Sequence, residues 1–431
     1  MMDTSIMLFT RDLRVRDNPA LAAACRARRV VPLFVFDDRI LGGRFAPPNR
    51  VRFLLESLAD LRESLRELGG DLVLRRGDPV AEVARLARDA GAGALFLADE
   101  RSAHADRRLA GLRGLGLEVS ACPGITVVPP GDLTPASGDH YRVFTPYWRA
   151  WEAARPRPLA GTPEAVGLPP GLDPGPLPDL ADLTAGSASP CPAPGGERAG
   201  RARMAAWLRE DAGSYGHVHD DLAADRTSRL SPYIKFGCVS PRELARAGPD
   251  VFRRQLAWRD FHHQVAAAFP ALAREDYRPR EGRWNRDEDA LDAWRDGRTG
   301  VPIVDAGMRQ LAREGYMHNR ARLITASFLT RDLGIDWRQG LRHFNDLLID
   351  GDIADNAGNW QWVAGTGNST RPDRVMNPLR QASRFDPGGD YVRRHVPELA
   401  GIEGPRVHRP WRLADDRRRA LDYPSPVIGP K

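Results

Sequence analysis

The stretch "VVPLFVF" (residues 30–36) is an unbroken apolar run. A strand with one face in water alternates apolar and polar side chains, because successive side chains point to opposite faces. A run without that alternation is a strand covered on both faces, as in a parallel sheet between helical layers. "SIMLF" (5–9), "DLVLRRG" (71–77) and "ALFLA" (94–98) read the same way. Between them, "NRVRFLLESLADLRESLRELGG" places Phe53, Leu54, Leu58, Leu61, Leu65 and Leu68 at helical spacing and closes on Gly69-Gly70. Strand and helix in alternation imply right-handed crossovers and an α/β domain with a doubly wound parallel sheet over residues 1–130. Ligands of such sheets sit at the carboxyl ends of the strands, here near Thr10-Arg11-Asp12 and Asp37-Asp38. No GxGxxG or GxxxxGK[ST] follows a strand, which argues against a standard dinucleotide or P-loop site.

Residues 131–200, and most plainly "RPRPLAGTPEAVGLPPGLDPGPLPDLADLTAGSASPCPAPGGERAG", are too rich in Pro, Gly and Ser to build a core and read as an interdomain linker wrapping the surface. Beyond it the pattern turns helical, with strand signals nearly absent, so residues 201–431 are expected to form an all-α domain. The 431-residue chain carries 63 Lys plus Arg against 57 Asp plus Glu, a net charge of +6 that permits an acidic partner. No run is apolar enough to cross a membrane and no secretory signal is evident, so a cytoplasmic location is expected. Four scattered cysteines without a CxxC pair argue against a disulfide scaffold or a zinc or iron–sulfur site.

Four segments of the helical part carry residue types that a plain core does not need. In "DRTSRLSPYIKFG" (225–237), Thr227, Ser228 and Ser231 precede a helix; Ser231 suits its N-cap, Pro232 its first position, and the hydroxyls with Arg229 form a phosphate nest. In "QLAWRDFHH" (255–263), Gln255, Trp258, Arg259 and His262 recur at i, i+3, i+4 and i+7 and share one helical face. Asn319, Arg322 and Leu323 do the same in "YMHNRARLITASF" (316–328). Finally, "DGDIADNAGNWQWVAGTG" (350–367) follows a helix expected to stop at Asp350-Gly351, and its glycines place Asp350, Asp352, Asn356, Trp360 and Trp362 in a loop and the start of the next element. Its acids lack the EF-hand spacing, so no metal is expected.

These segments, in this order behind an α/β part and a long linker, resemble the photolyase and cryptochrome family of light-driven flavoproteins, and within it the class I photolyases that act on cyclobutane pyrimidine dimers. The resemblance runs from about residue 4 to 412 and is most specific in "TSRLSPYIKFG", "WRDFHH", "TGVPIVDAGMRQL", "MHNRARLITASFLTRDLGIDWRQGLRHF" and "LIDGDIADNAGNWQW". It implies an antenna-type N-terminal domain, a helical domain holding FAD bent into a U, and blue-light electron transfer from reduced flavin to a DNA lesion. Carried over residue by residue, it implies FAD contacts at Tyr215, Thr227, Ser228, Arg229, Leu230 and Ser231. Arg322 would pair with Asp350 beside the flavin, with Gly351 and Asp352 as further contacts and Asn356 facing flavin N5. Trp360, Trp337 and Trp284 match the family's electron-hopping triad, from the flavin outward. Trp258 and Trp362 match the indoles that cradle the dimer, Gln255, Asn319 and Leu323 lie at its bases, and Arg259 and Arg320 at phosphates.

The resemblance also implies DNA containing pyrimidine dimers as partner, a monomer, and room for a second, antenna chromophore of folate or deazaflavin type that "LADERSAHADRR" (97–108) does not assign. Dimer photolyases usually carry Glu where this chain has Gln255, and Met where it has Leu323. An amide donates a hydrogen bond but releases no proton. A cryptochrome-like photoreceptor that keeps flavin and triad but repairs poorly is therefore the alternative.

Overall fold

The computed structural model describes residues 3–280 and 282–429. Five parallel strands among them form one sheet: β1 (Thr4–Leu8), β2 (Arg29–Asp37), β3 (Val73–Gly77), β4 (Ala94–Ala98) and β5 (Glu118–Cys122), in the order β3-β2-β1-β4-β5. The four apolar runs are strands as expected; β1 and β2 are buried along nearly their whole length, but β3, at an edge of the sheet, is buried only at Val73 and Leu74, against the expectation of a strand covered on both faces. Ile6, Val31, Leu33, Leu95 and neighbouring side chains make the core of this layer. β5, "EVSAC", escapes the reading because an edge strand in a half-exposed position needs no apolar run. The winding reverses between β1 and β4, the switch point where such sheets bind ligands.

The Pro/Gly-rich segment is an ordered strap on this layer. Gly167 O accepts from Val30 N (2.8 Å) and Pro174 O from Leu74 N (2.7 Å), while Thr184 Oγ1 donates to Ala46 O (2.7 Å). Backbone hydrogen bonds hold it where it has no apolar face to bury. At its end the backbone comes so close to the Pro48–Glu67 helix that a Cβ on Gly195 would lie 2.4 Å from Phe53 O.

The chain divides into two compact units at places composition did not announce. One comprises the residues up to Ser187, Pro194–Gly213 and Ser228–Pro270; the other comprises Ala188–Ala193, Ser214–Thr227 and the chain from Ala271. The helices Ser231–Phe236, Pro241–Ala247 and Asp250–Ala268, expected in the helical domain, thus pack with the sheet unit. Linker composition marks where the chain cannot make a core; it does not say which core the next helices join. No helix of the described residues is long and apolar enough to cross a membrane.

Asp260 explains part of this attachment. Its buried Oδ2 accepts from Val127 N (3.0 Å), Val128 N (2.9 Å) and the Trp151 indole (2.9 Å). Burial pushes its carboxyl up to about 6, against the opposing pull of Arg259 and these donors. The folded value lies above the ordinary one, so the native state holds the proton more tightly. This contribution to stability is complete below about pH 4 and is lost as the pH rises through 6. Asp260→Ala leaves three buried donors unpaired and is expected to lower the unfolding free energy by about 3 kcal/mol. Asp260→Asn should flatten the decline in stability over that pH interval, and urea unfolding followed by indole fluorescence reads both.

Candidate active site

In the second unit, the helices Asn319–Ser327, Trp337–Leu347 and Ile353–Ala364 surround a small cavity of about 80 Å³. Asn319, Arg322, Leu323, Asp350, Asn356 and Trp360, all singled out above, line it together with Phe344, Asp355 and Asn359.

The segment 350–367 corrects the expectation of a glycine-broken loop. The preceding helix ends earlier, at Leu347, and a helix then runs unbroken from Ile353 to Ala364, through a buried Gly358. Asp352 is its N-cap, its Oδ1 accepting from Ala354 N (2.9 Å) and Asp355 N (3.2 Å), and Gly365 closes it in the left-handed region at φ 79°. Capping at both ends offsets the cost of a glycine within the helix. Asp352 and Gly351 are not among the cavity's lining residues.

Arg322 and Asp350 meet in a two-pronged ion pair (3.0 and 2.8 Å), and Arg322 Nε also donates to Met317 O (2.8 Å). Burial works against the guanidinium's charge, but the carboxylate of Asp350 outweighs it and holds the arginine's pKa above its usual value. The pair brings two charges to the cavity wall with no net charge. Asn356 Nδ2 donates to Asn345 Oδ1 (2.7 Å), which fixes the plane of its amide.

Trp360 is 2% exposed and stands edge-on to Phe344, with ring centres 4.9 Å apart. Its ring rests on Gly340, where a Cβ would lie 2.1 Å from Trp360 Cη2. One turn before Gly340 on the same helix is Trp337, wholly buried, its indole donating to Asp276 Oδ1 (2.9 Å). Asn285, next to the half-buried Trp284, is joined to the approach to that helix: its N donates to Gly334 O (2.8 Å) and its Nδ2 to Leu333 O (2.8 Å). Three tryptophans far apart in sequence are thus carried by neighbouring pieces of one unit. Trp362 lies on the same helix as Trp360 without lining the cavity, 5.9 Å from the Arg374 guanidinium.

Tyr215 is buried, which raises its hydroxyl's pKa, and Thr227 Oγ1 lies 3.4 Å from Tyr316 Oη, both within this unit. Ser228–Ser231 belong to the first. There the expected cap is displaced by one residue: Leu230 occupies the N-cap, Ser231 is the first helical residue and Pro232 the second. Arg229 turns the chain in the left-handed region (φ 52°), and Ser228 Oγ accepts from Leu230 N (3.3 Å), so the turn is made before Ser231.

On the Asp250–Ala268 helix, Gln255 and Trp258 are half-buried. One face of Trp258 is covered by Phe144 in a parallel stack with ring centres 3.6 Å apart. The two arginines expected at phosphates are engaged within the protein. Arg259 Nη1 donates to Ile125 O (2.7 Å), and Arg320 forms a forked pair with Asp220 (3.1 and 2.5 Å).

Family models match the chain twice, as DNA photolyase over residues 5–164 and as FAD binding domain of DNA photolyase over residues 252–431. A deoxyribodipyrimidine photo-lyase of Streptomyces griseus is 50% identical over 99% of this chain and 96% of its own. The chain belongs to the DNA photolyase family. Among other members, a cryptochrome DASH of Natronomonas pharaonis is 38% identical over 99% of this chain and 98% of its own. The crystal structure of a class III photolyase from Agrobacterium tumefaciens superimposes with a TM-score of 0.89 at 34% identity, covering 100% of this chain and 95% of that one. The family's cofactor is FAD, and the cavity's lining suits the edge of a flavin ring: it offers the paired charges of Arg322 and Asp350, an oriented amide at Asn356 and the indole of Trp360.

Sequence reading missed Gly340, Asn345, Asp276 and Phe144. Only Gly340 left a signal, a glycine inside the otherwise amphipathic "WRQGLRHF", which points to close approach. Gly340→Ala is expected to cost about 1–3 kcal/mol by overpacking and to drive Trp360 into the cavity. The purified variant should then retain less flavin, read as the ratio of flavin to protein absorbance. An unchanged ratio would show that Trp360 does not depend on this contact.

Proposed function

We propose that this photolyase-family chain is a blue-light-driven deoxyribodipyrimidine photo-lyase that splits cyclobutane pyrimidine dimers in DNA, acting in the cytoplasm. The observation that carries the reading is the cavity lined together by the Arg322–Asp350 pair, Asn356 and Trp360. Bound there, reduced and light-excited FAD would supply the electron that opens the dimer's cyclobutane ring and take it back afterwards. Within the second unit, Arg322, Asp350 and Asn356 would hold the ring system, with Tyr215 and Thr227 at the rest of the cofactor; the Ser228–Ser231 turn of the first unit carries hydroxyls suited to phosphate.

The chain's own residues account for the remaining requirements. The neutral Asn356 amide places no negative charge beside a reduced flavin, where a carboxylate would oppose it. Trp360, Trp337 and Trp284 form the route by which electrons reach the cofactor from the surface. A base taken out of the duplex needs an aromatic platform and hydrogen bonds to its edges. On the first unit Trp258 would supply a platform and Gln255 a hydrogen bond; on the second, Trp362 and Asn319 would do the same. The stack on Phe144 keeps Trp258 from rotating, which lowers the ordering cost of binding. Phe144→Ala is expected to raise KM for dimer-containing DNA about three- to tenfold with kcat nearly unchanged, whereas Phe144→Tyr should leave both alone.

Gln255 favours a second reading, a cryptochrome-like photoreceptor with weak repair, because its amide can hold the dimer yet cannot protonate it. One assay separates the two. Photoreduced protein and its Gln255→Glu variant are incubated with a dimer-containing single strand under blue light, and restored pyrimidines are counted. Repair by the wild type supports the photo-lyase. Repair by the Glu variant alone makes Gln255 the switch to the photoreceptor, and no repair by either, with normal flavin photoreduction, rules the photo-lyase out.

A further inference from the structure

Trp360 has two buried indoles within reach. Trp294 stands edge-on with its ring centre 6.1 Å away, and Trp337 lies one turn along the helix on which Trp360 rests. Both are wholly shielded from solvent. Burial alone therefore does not decide which of them refills an electron lost by Trp360.

Their N–H groups meet different partners. The Trp294 indole donates to a neutral backbone carbonyl, Thr325 O (3.0 Å), and the Trp337 indole to a carboxylate, Asp276 Oδ1 (2.9 Å). An indole that gives up an electron becomes a cation with an acidic N–H. A carboxylate on that N–H stabilises the cation through a charge-assisted hydrogen bond, which a carbonyl cannot match. Arg338 works in the other direction, its guanidinium 4.5 Å from the Trp337 ring centre. Its charge is divided between Asp276 (2.8 Å) and Asp336 (3.1 Å), so two carboxylates face one guanidinium and the field favours a cation on Trp337.

We infer that Asp276 is the positioning residue that makes Trp337, and not Trp294, the electron donor to Trp360. The inference rests on the reading of Trp360, Trp337 and Trp284 as the electron route. In the step it governs, one electron passes from Trp337 to a Trp360 that has given its own to light-excited flavin. Trp360 returns to a neutral indole, Trp337 becomes the cation, and its N–H stays on Asp276 until Trp284 supplies the next electron. The segment carrying Asp276 is itself held by the residue that follows Trp360. Gln361, wholly buried, donates to Leu272 O (2.6 Å) and Glu275 O (2.9 Å) and accepts from Tyr277 N (2.8 Å). The helix that presents the first tryptophan thereby sets the charge beside the second.

The test uses the flavin-loaded full chain and four variants. Asp276→Asn keeps the size and an acceptor for the indole while removing the charge. It should lower the yield of flavin photoreduction by about tenfold or more and, in transient absorption, shorten the life of the tryptophan cation through faster charge recombination. Its thermal unfolding and its repair rate after chemical reduction should stay at wild-type values. Asp276→Glu should restore part of the yield, and Trp294→Phe should leave the photoreduction yield at its wild-type value. A wild-type yield in Asp276→Asn, with photoreduction abolished in Trp337→Phe, overturns the inference and leaves the electron route standing. Photoreduction that persists in Trp337→Phe overturns the route itself.

Discussion

The ion pair between Arg322 and Asp350 is the contact on which the cavity's geometry turns. Taking a guanidinium and a carboxylate out of water costs several kcal/mol per ion, and only good geometry with additional hydrogen bonds offsets that cost. Both conditions are met: the pair is two-pronged, and Arg322 Nε is committed to Met317 O. The pair ties the helix Asn319–Ser327 to the turn between the helices Trp337–Leu347 and Ile353–Ala364. Three walls of the cavity are thereby placed by one electrostatic contact. Loss of either partner would strand a charge beside the space where a flavin would lie.

Close approach is the second constraint. Trp360 reaches the cavity wall because Gly340 offers no Cβ, and the helix bearing Trp360 reaches its neighbours because Gln361 replaces an apolar contact with three hydrogen bonds to backbone. Adjacent residues of "NWQW" therefore do different work. Trp360 faces the cavity, Gln361 anchors the segment 272–277, and Trp362 remains half-buried elsewhere on the helix. A helix spreads consecutive side chains around its axis, so a short motif can serve several neighbours at once.

In the first unit, buried carboxylates do similar work. Asp260 gathers three N–H donors from two other segments, and Glu197 accepts from Val15 N (2.7 Å) and Arg16 N (3.3 Å). Each satisfies backbone that no strand or helix pairs. The Pro/Gly-rich strap follows the same rule with backbone alone. These polar attachments leave no trace in an apolar pattern, and for that reason the division of the chain into units departs from the composition boundaries near residues 130 and 200.

What the sequence by itself determined was whatever depends on local pattern: four of the five strands, the helical character of the C-terminal part, and the order of motifs that placed the chain among photolyases. Six of the singled-out residues do line one cavity. The tertiary structure alone decided the rest. It runs a helix through Gly358, sets Ser231 inside its helix, occupies Arg259 and Arg320 with internal partners, and supplies Phe144 to Trp258 and Asn345 to Asn356. The physical reason is the range of the interactions. Strand and helix periodicity are written in neighbouring residues, whereas the partner of a functional side chain, such as Asp276 to Trp337 at 61 residues' separation, is chosen by packing.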